Sequence, residues 1–253
     1  MPIGNMSAAK IHHSGGPADT TNSLKHLVNA THVASVMLAQ TKQITPEILA
    51  PVFDAIKKFD CGEVGLMEPW HWTARKGEFL NSSNSLLSSK PPGLYYFHIA
   101  ETSNFSIGIF IIPPGAQLPT HDHPKMSVIS KVLFGSTKVK AYNWKNGVGD
   151  QVRGGPVSIH HDEILLNKGD IEYLLPDSGN IHRFSCIVND EKVAQESNCE
   201  NMLGCAVLDV ILPPYNDNEG RHCVYYKEIV DANLGLCLKP VEPPEDFFVE
   251  NLN

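Results

Sequence analysis

No stretch of this chain concentrates lysine and arginine: 20 basic residues face 28 acidic ones, for a formal charge of -8 at pH 7. A nucleic-acid partner is therefore not expected, since binding to a phosphate backbone rests on clustered cations. Long apolar runs are also missing. The opening MPIGNMSAAKIHHSGG has no apolar signal core, and no later segment approaches the roughly 18–20 apolar residues of a bilayer span. The chain is read as a soluble cytoplasmic monomer without a membrane partner, the nucleus being the alternative location. No C-x-x-C pair occurs among the six cysteines, Cys61, Cys186, Cys199, Cys205, Cys223 and Cys237. Their irregular spacing in a chain this long argues against a disulfide framework, leaving reduced thiols that mostly serve as small buried apolar residues. There is no internal repeat, and 253 residues suffice for one large domain with a well-buried core.

What is present divides the chain by character. Residues 1–20 are polar and rich in Gly and Ser, and are expected to form a flexible tail. Residues 21–253 are expected to form a single domain: a helical N-terminal part over 21–80, a β-barrel core over about 94–230 and a C-terminal extension over 231–253. One helix is predicted from Leu24, on the spacing of Leu27, Val28, Val36 and Met37. A second starts at Thr45-Pro46-Glu47, with a stripe of Ile48, Leu49, Val52, Phe53 and Ile56, and begins or kinks at Pro51 because proline lacks an amide donor. After the Ser-rich connector NSSNSLLSSKPPG come about nine short β-prone runs, at 94–99, 105–112, 126–135, 138–144, 163–167, 171–175, 182–188, 202–212 and 222–229. So many strands without intervening helices indicate a sandwich or small barrel. Residues 145–156 and 189–201 read as polar hairpin excursions.

Within PTHDHPKMS, His121 and His123 stand at i and i+2. On a strand they share a face and can aim two imidazoles at one point, a chelating geometry, although two histidines sharing a face by chance is the plainer reading of the pair alone. The flanking turns add weight: Gly115 precedes the pair, Gly135 closes the next strand, and Pro176 to Gly179 leads into His182. His160 and His161, if strand-like, point to opposite faces and cannot easily chelate together. His222 lies beside Cys223, with an outward or supporting role, and His71 between Trp70 and Trp72 suits packing or surface. All four are left out of the candidate site.

The two-block spacing resembles that of the cupin superfamily, in which the first block supplies two histidine ligands and the second a third. The resemblance implies an all-β cupin barrel, a double-stranded β-helix of jelly-roll type, with N-terminal helices. Where most cupins carry a glutamate ligand this chain has Ser127 and Val128. Three neutral imidazoles leave the full divalent charge on a metal, so an anionic substrate such as a thiolate would suit it.

Five ordered blocks, HDHPKMSVISKVLFGS, GNIH, VLDVILPPY, GRHCVYYK and PPEDFF, narrow the resemblance to the thiol dioxygenases that comprise 2-aminoethanethiol (cysteamine) dioxygenase and the plant cysteine oxidases. It implies a non-haem Fe(II) enzyme, one iron per chain, that inserts both atoms of O2 into a thiol to give a sulfinic acid. The thiol would be cysteamine or the N-terminal cysteine of a peptide or protein, the latter linking the reaction to oxygen sensing through protein degradation. His121, His123 and His182 match the iron ligands. Asp209 matches an acidic residue near the iron, a costly placement for an unpaired carboxylate in the apolar run AVLDVIL; a structural Asp bonded to backbone amides or to a ligand histidine is the alternative. Tyr215 either reaches toward the site or caps the Pro-Pro turn. Cys223 and Tyr225 match positions at which some members form a thioether cross-link, or else simply pack together. Lys125 departs from the family, which usually has Gly after H-x-H-P. Other readings are a Zn or Mn cupin isomerase or hydrolase, and a cupin-fold binding protein.

Overall fold

The computed structural model describes residues 21–66, 93–113, 115–145, 151–186, 204–245 and 247–252. The expected N-terminal tail, His12, His13, His71, Cys199 and the 189–201 excursion lie outside them. Two helices come first, α1 (Thr21–Thr41) and α2 (Pro46–Lys58). Pro46 occupies the first turn of α2, where its missing amide costs nothing, and the helix runs on through Pro51 rather than beginning there. Tertiary burial of Ile48, Leu49, Val52, Ala55 and Ile56 holds that helix against the loss of one internal hydrogen bond. Among the described residues no helix is long and apolar enough to cross a membrane.

The remainder is β: β1 (Leu94–Glu101), β2 (Ser106–Ile112), β3 (Gln117–Asp122), β4 (Ser127–Phe134), β5 (Ser136–Trp144), β6 (Gly155–Asn167), β7 (Ile171–Leu174), β8 (Ile181–Cys186), β9 (Cys205–Leu212), β10 (Tyr225–Asp231), β11 (Gly235–Val241) and β12 (Val249–Asn251). One sheet has the order β12-β1-β2-β9-β4-β7, and a second closes on itself in the order β10-β11-β6-β5-β8-β3. This mostly-β fold with two helices is the cupin architecture that the sequence implied.

Three strand assignments need correction. β3 was not among the predicted runs, because QLPTHD has no apolar stripe; pairing with β8 and β10 makes it a strand. β6 begins at Gly155 and includes His160 and His161, where the sequence suggested only 163–167. The barrel does not stop near residue 230: β11 pairs with both β10 and β6, and β12 runs parallel to β1, so the expected C-terminal extension supplies ring and sheet strands.

Alternation along the strands sorts apolar side chains into layers. Ile107, Ile109, Ile129, Leu133, Leu208 and Val210 pack against Leu27, Val52, Ile56 and other helical residues on one side of the first sheet. On its other side Ile112, Val132 and Val207 meet Leu118, Val139 and Phe184 of the closed ring. A smaller cluster of Tyr142, Val157, Ile181, Tyr226 and Leu238 belongs to the ring strands alone. The five described cysteines are free thiols, as the sequence suggested.

Candidate metal centre

β3 and β8 build the centre. Their register passes from Leu118 opposite Phe184 to His121 opposite His182, an irregularity that gives β3 one extra residue. Cross-strand partners share a face, so His121 and His182 meet, and His123, two residues on, joins them. The three rings form a near-equilateral triangle, with centroids 4.8, 4.9 and 4.9 Å apart. Among the described residues these histidines form a group able to hold a metal ion, and all three are buried.

Hydrogen bonds fix which nitrogen is free. His121 Nδ1 lies 2.8 Å from the Pro119 carbonyl, to which it can only donate, leaving Nε2 with its lone pair. Tyr215 donates its hydroxyl to the Asp122 carbonyl at 2.8 Å, so at 2.9 Å from His123 Nδ1 its oxygen serves as acceptor for that ring's N–H. His123 Nε2 is thereby also bare, and it faces His182 Nε2 at 3.0 Å. Two ligand nitrogens bonded at roughly 2.0–2.1 Å to one ion, at near-right angles, are separated by about 3.0 Å. The donor set therefore fits a divalent cation of the imidazole-binding type, with coordination positions left for other ligands. His182 Nδ1 is buried with no hydrogen-bond partner among the described residues. Burial pushes the His121 pKa down to about 4, its bond to Pro119 opposing the shift. The other two rings lie well below the usual range, through burial and then mutual repulsion. All three are neutral at pH 7, as metal ligands must be.

Neighbouring elements hold the triangle. Asn180 donates to the carbonyls of His123, Met126 and Leu175, and its own carbonyl accepts from His123 N. Gly179 supplies the left-handed turn before it, at φ +66°. Asp122, between His121 and His123, accepts from the Tyr226 hydroxyl, Gln151 and the Val224 amide. Arg221 donates through Nε to the Pro214 carbonyl and fixes the loop that carries Tyr215. Lys125 has φ +60°, which explains why glycine suits that position in the family pattern.

Asp209 lies on the inter-sheet face of β9, two residues from Val207, which packs with Phe184. It is 3 % exposed. Ser130 donates to its Oδ1 at 2.6 Å, and burial raises its pKa to about 7. Among the described residues its side-chain partner is Ser130, rather than a backbone amide or a ligand histidine. Tyr96 reaches over from β1: a Cβ on Gly108, the residue paired with Asp209, would lie 2.1 Å from its hydroxyl. Tyr215 reaches the centre through His123 Nδ1 and the Asp122 carbonyl. The Cys223 thiol is close to Tyr215 and Tyr225, and burial raises its pKa to about 11. Tyr225 stands opposite His121, with ring centroids 6.3 Å apart. Ser130, Tyr96, Asp122 and Asn180 escaped the sequence reading; the signals were a serine and a glycine interrupting the apolar runs MSVISKVLFG and FSIGIFII.

The PCO_ADO family model matches residues 52–249. A probable 2-aminoethanethiol dioxygenase of Dictyostelium discoideum is 35% identical over 66% of this chain and 72% of its own length. Plant cysteine oxidase 1 of Arabidopsis thaliana is 37% identical over 55% of this chain and 43% of its own, and plant cysteine oxidase 2 of the same organism is 34% identical over 71% and 56%. The chain thus spans about half the length of the two plant relatives. With the family match covering most of its residues, ligand-competent histidines included, this chain belongs to the PCO_ADO family of cupin-fold thiol dioxygenases.

Proposed function

We propose that the chain converts a thiol to a sulfinic acid, RSH + O2 → RSO2H, at a ferrous ion held by His121, His123 and His182, with the N-terminal cysteine of a peptide as favoured substrate and cysteamine as a second. The observation that carries the reading is the tautomer control: Pro119 and Tyr215 leave two of the three rings with bare Nε2 atoms in one buried triangle. Ferrous iron, when bound, supplies the Lewis acidity that turns a thiol into a thiolate and the electrons that let triplet O2 react with it. The chain's own residues do the rest. Three neutral imidazoles add no negative charge, so an anionic sulfur is the complementary ligand. Asp209, with Ser130 fixing one oxygen, offers the other to the ammonium that both substrate classes place two carbons from sulfur. That contact orients the thiol and lowers the Asp209 pKa. The apolar layer around Val132, Val207 and Phe184 keeps water from the reacting atoms. The Cys223–Tyr225 pair forms a thioether in this reading, two hydrogens being lost to an oxidant such as O2. The cellular role is an oxygen-dependent mark on proteins with N-terminal cysteine, in the cytoplasm or nucleus.

Anaerobic loading with Fe(II), admission of air and mass spectrometry of a Cys-initiated peptide and of cysteamine test the reading. The expected result is a gain of two oxygen atoms on the thiol, absent in the zinc-loaded protein. Unchanged thiols with full iron content would reject it.

A further inference from the structure

A second group of metal-binding side chains stands apart from the triangle: His160 and His161 on β6 and Glu172 on β7. Strict alternation would set the two histidines on opposite faces, as the sequence reading assumed, but β6 is irregular here. Ala141 pairs with His161 and Tyr142 with Ile159, leaving His160 as an extra residue. Such a bulge re-aims a side chain, and the two rings come within 4.3 Å, centroid to centroid. His161 Nε2 lies 3.0 Å from Glu172 Oε1, the spacing seen between two ring nitrogens of the triangle. The three donor atoms all fall within 4.8 Å of one another. Glu172 is 8 % exposed, a poor place for a carboxylate without a cation.

We propose that His160, His161 and Glu172 form a second divalent-metal site, suited to zinc, that clips the six-stranded sheet to the closed ring. Two imidazoles, one carboxylate and a water complete a common zinc environment. β7 is the edge of one sheet and β6 belongs to the other, and among the described strands no ladder joins them. An ion there bridges the two sheets beyond their covalent turn. It also bears on the triangle's support: a Cβ at Gly179 would lie 2.9 Å from the His160 ring, so this ring packs on the turn that precedes His182. Binding displaces the proton between His161 and Glu172, and costs the 3.4 Å contact from Asn143 to His160 Nδ1, which is near the limit of a hydrogen bond. The proposal goes beyond the thiol chemistry and stands without it.

The test uses the full chain carrying His121→Ala and His182→Ala, which removes the first site. Zinc titration by calorimetry is expected to show about one ion per chain, and zinc is expected to raise the Tm by at least about 3 °C. Adding Glu172→Gln with His160→Asn weakens binding by at least about tenfold and abolishes the Tm rise. Absence of zinc binding at micromolar levels, or binding and a Tm rise untouched by those two substitutions, overturns the proposal. If the triangle variant does not fold, the otherwise unaltered chain decides: about two zinc ions, falling to about one in Glu172→Gln, uphold the site, and saturation at one in both overturns it.

Discussion

Asp209 is a carboxylate whose surroundings keep its proton near neutrality. Burial raises its pKa from 3.8 to about 7 and only the Ser130 hydroxyl opposes this, so between those values the folded chain holds a proton that the unfolded chain releases. Its contribution to stability is therefore present in acid and declines as the pH climbs toward 7. Asp209→Asn removes that dependence: urea midpoints of the variant should exceed the parent's at pH 8, with the difference shrinking or reversing at pH 5. Turnover should fall at least about tenfold at unchanged iron content, through loss of a charge-assisted hydrogen bond to the substrate; retained turnover removes Asp209 from the chemistry. Tyr215 contacts His123 Nδ1, so the role proposed for it is to position that ring. Tyr215→Phe leaves the His123 N–H without its acceptor, and iron affinity measured by chelator competition should drop about 10–100-fold while KM stays near the parent's. At Lys125 the backbone sits at φ +60°, a region that disfavours side chains. Lys125→Gly relieves that strain at a cost in unfolded-chain entropy, and the expected change lies between neutral and about 1 kcal/mol of stabilisation.

At the scale of elements, the sequence was legible where side-chain period and structure agree. The H-x-H pair and the G-N-I-H turn could be read because i, i+2 spacing and a left-handed glycine each have one strong structural meaning. β3 and the start of β6 could not, because pairing and register set them: QLPTHD becomes a strand by lying between β8 and β10, and a bulge at His160 is a property of alignment with β5 rather than of composition. β11 hid for a similar reason, its short apolar run GLCLKPV carrying a proline opposite Tyr226. The helices were visible from their apolar stripes, while their anchorage was not. Lys131, the cation of β4, buries its ammonium against the carbonyls of Lys57 and Phe59 at 2.9 and 2.8 Å, where α2 ends. It serves as the donor that closes the helix C-terminus onto β4. Lys131→Met preserves the stem but leaves those carbonyls unpaired, and chemical denaturation should register a loss of about 1–3 kcal/mol.

Across the whole molecule, the layers bury titratable groups whose demands on pH oppose one another. The three histidines of the triangle have pKa values depressed from 6.5, that of His121 to about 4. A depressed histidine contributes stability that is complete above 6.5 and is lost as the pH falls toward its folded value, because unfolding lets the ring take a proton. Asp209 pulls the other way between 3.8 and about 7, and Glu172, raised to about 6 by burial, does so more weakly. Three rings against Asp209 and most of a proton on Glu172 leave the unfolded chain with an excess of about one proton near pH 5.5. The metal-free chain should therefore gain stability from pH 4.5 to 6.5, despite the raised carboxylates. Metal loading steepens that rise, since ligand nitrogens must be unprotonated to bind and the ion stabilises only the folded form. His182→Gln should flatten the metal-free profile by about one proton and reduce the extra slope on loading to what the second group of ligands supplies. Urea midpoints taken at half-unit pH intervals, with and without chelator, measure both; a metal-free chain whose stability does not change over this range would mean that the three rings are not held neutral together in the fold.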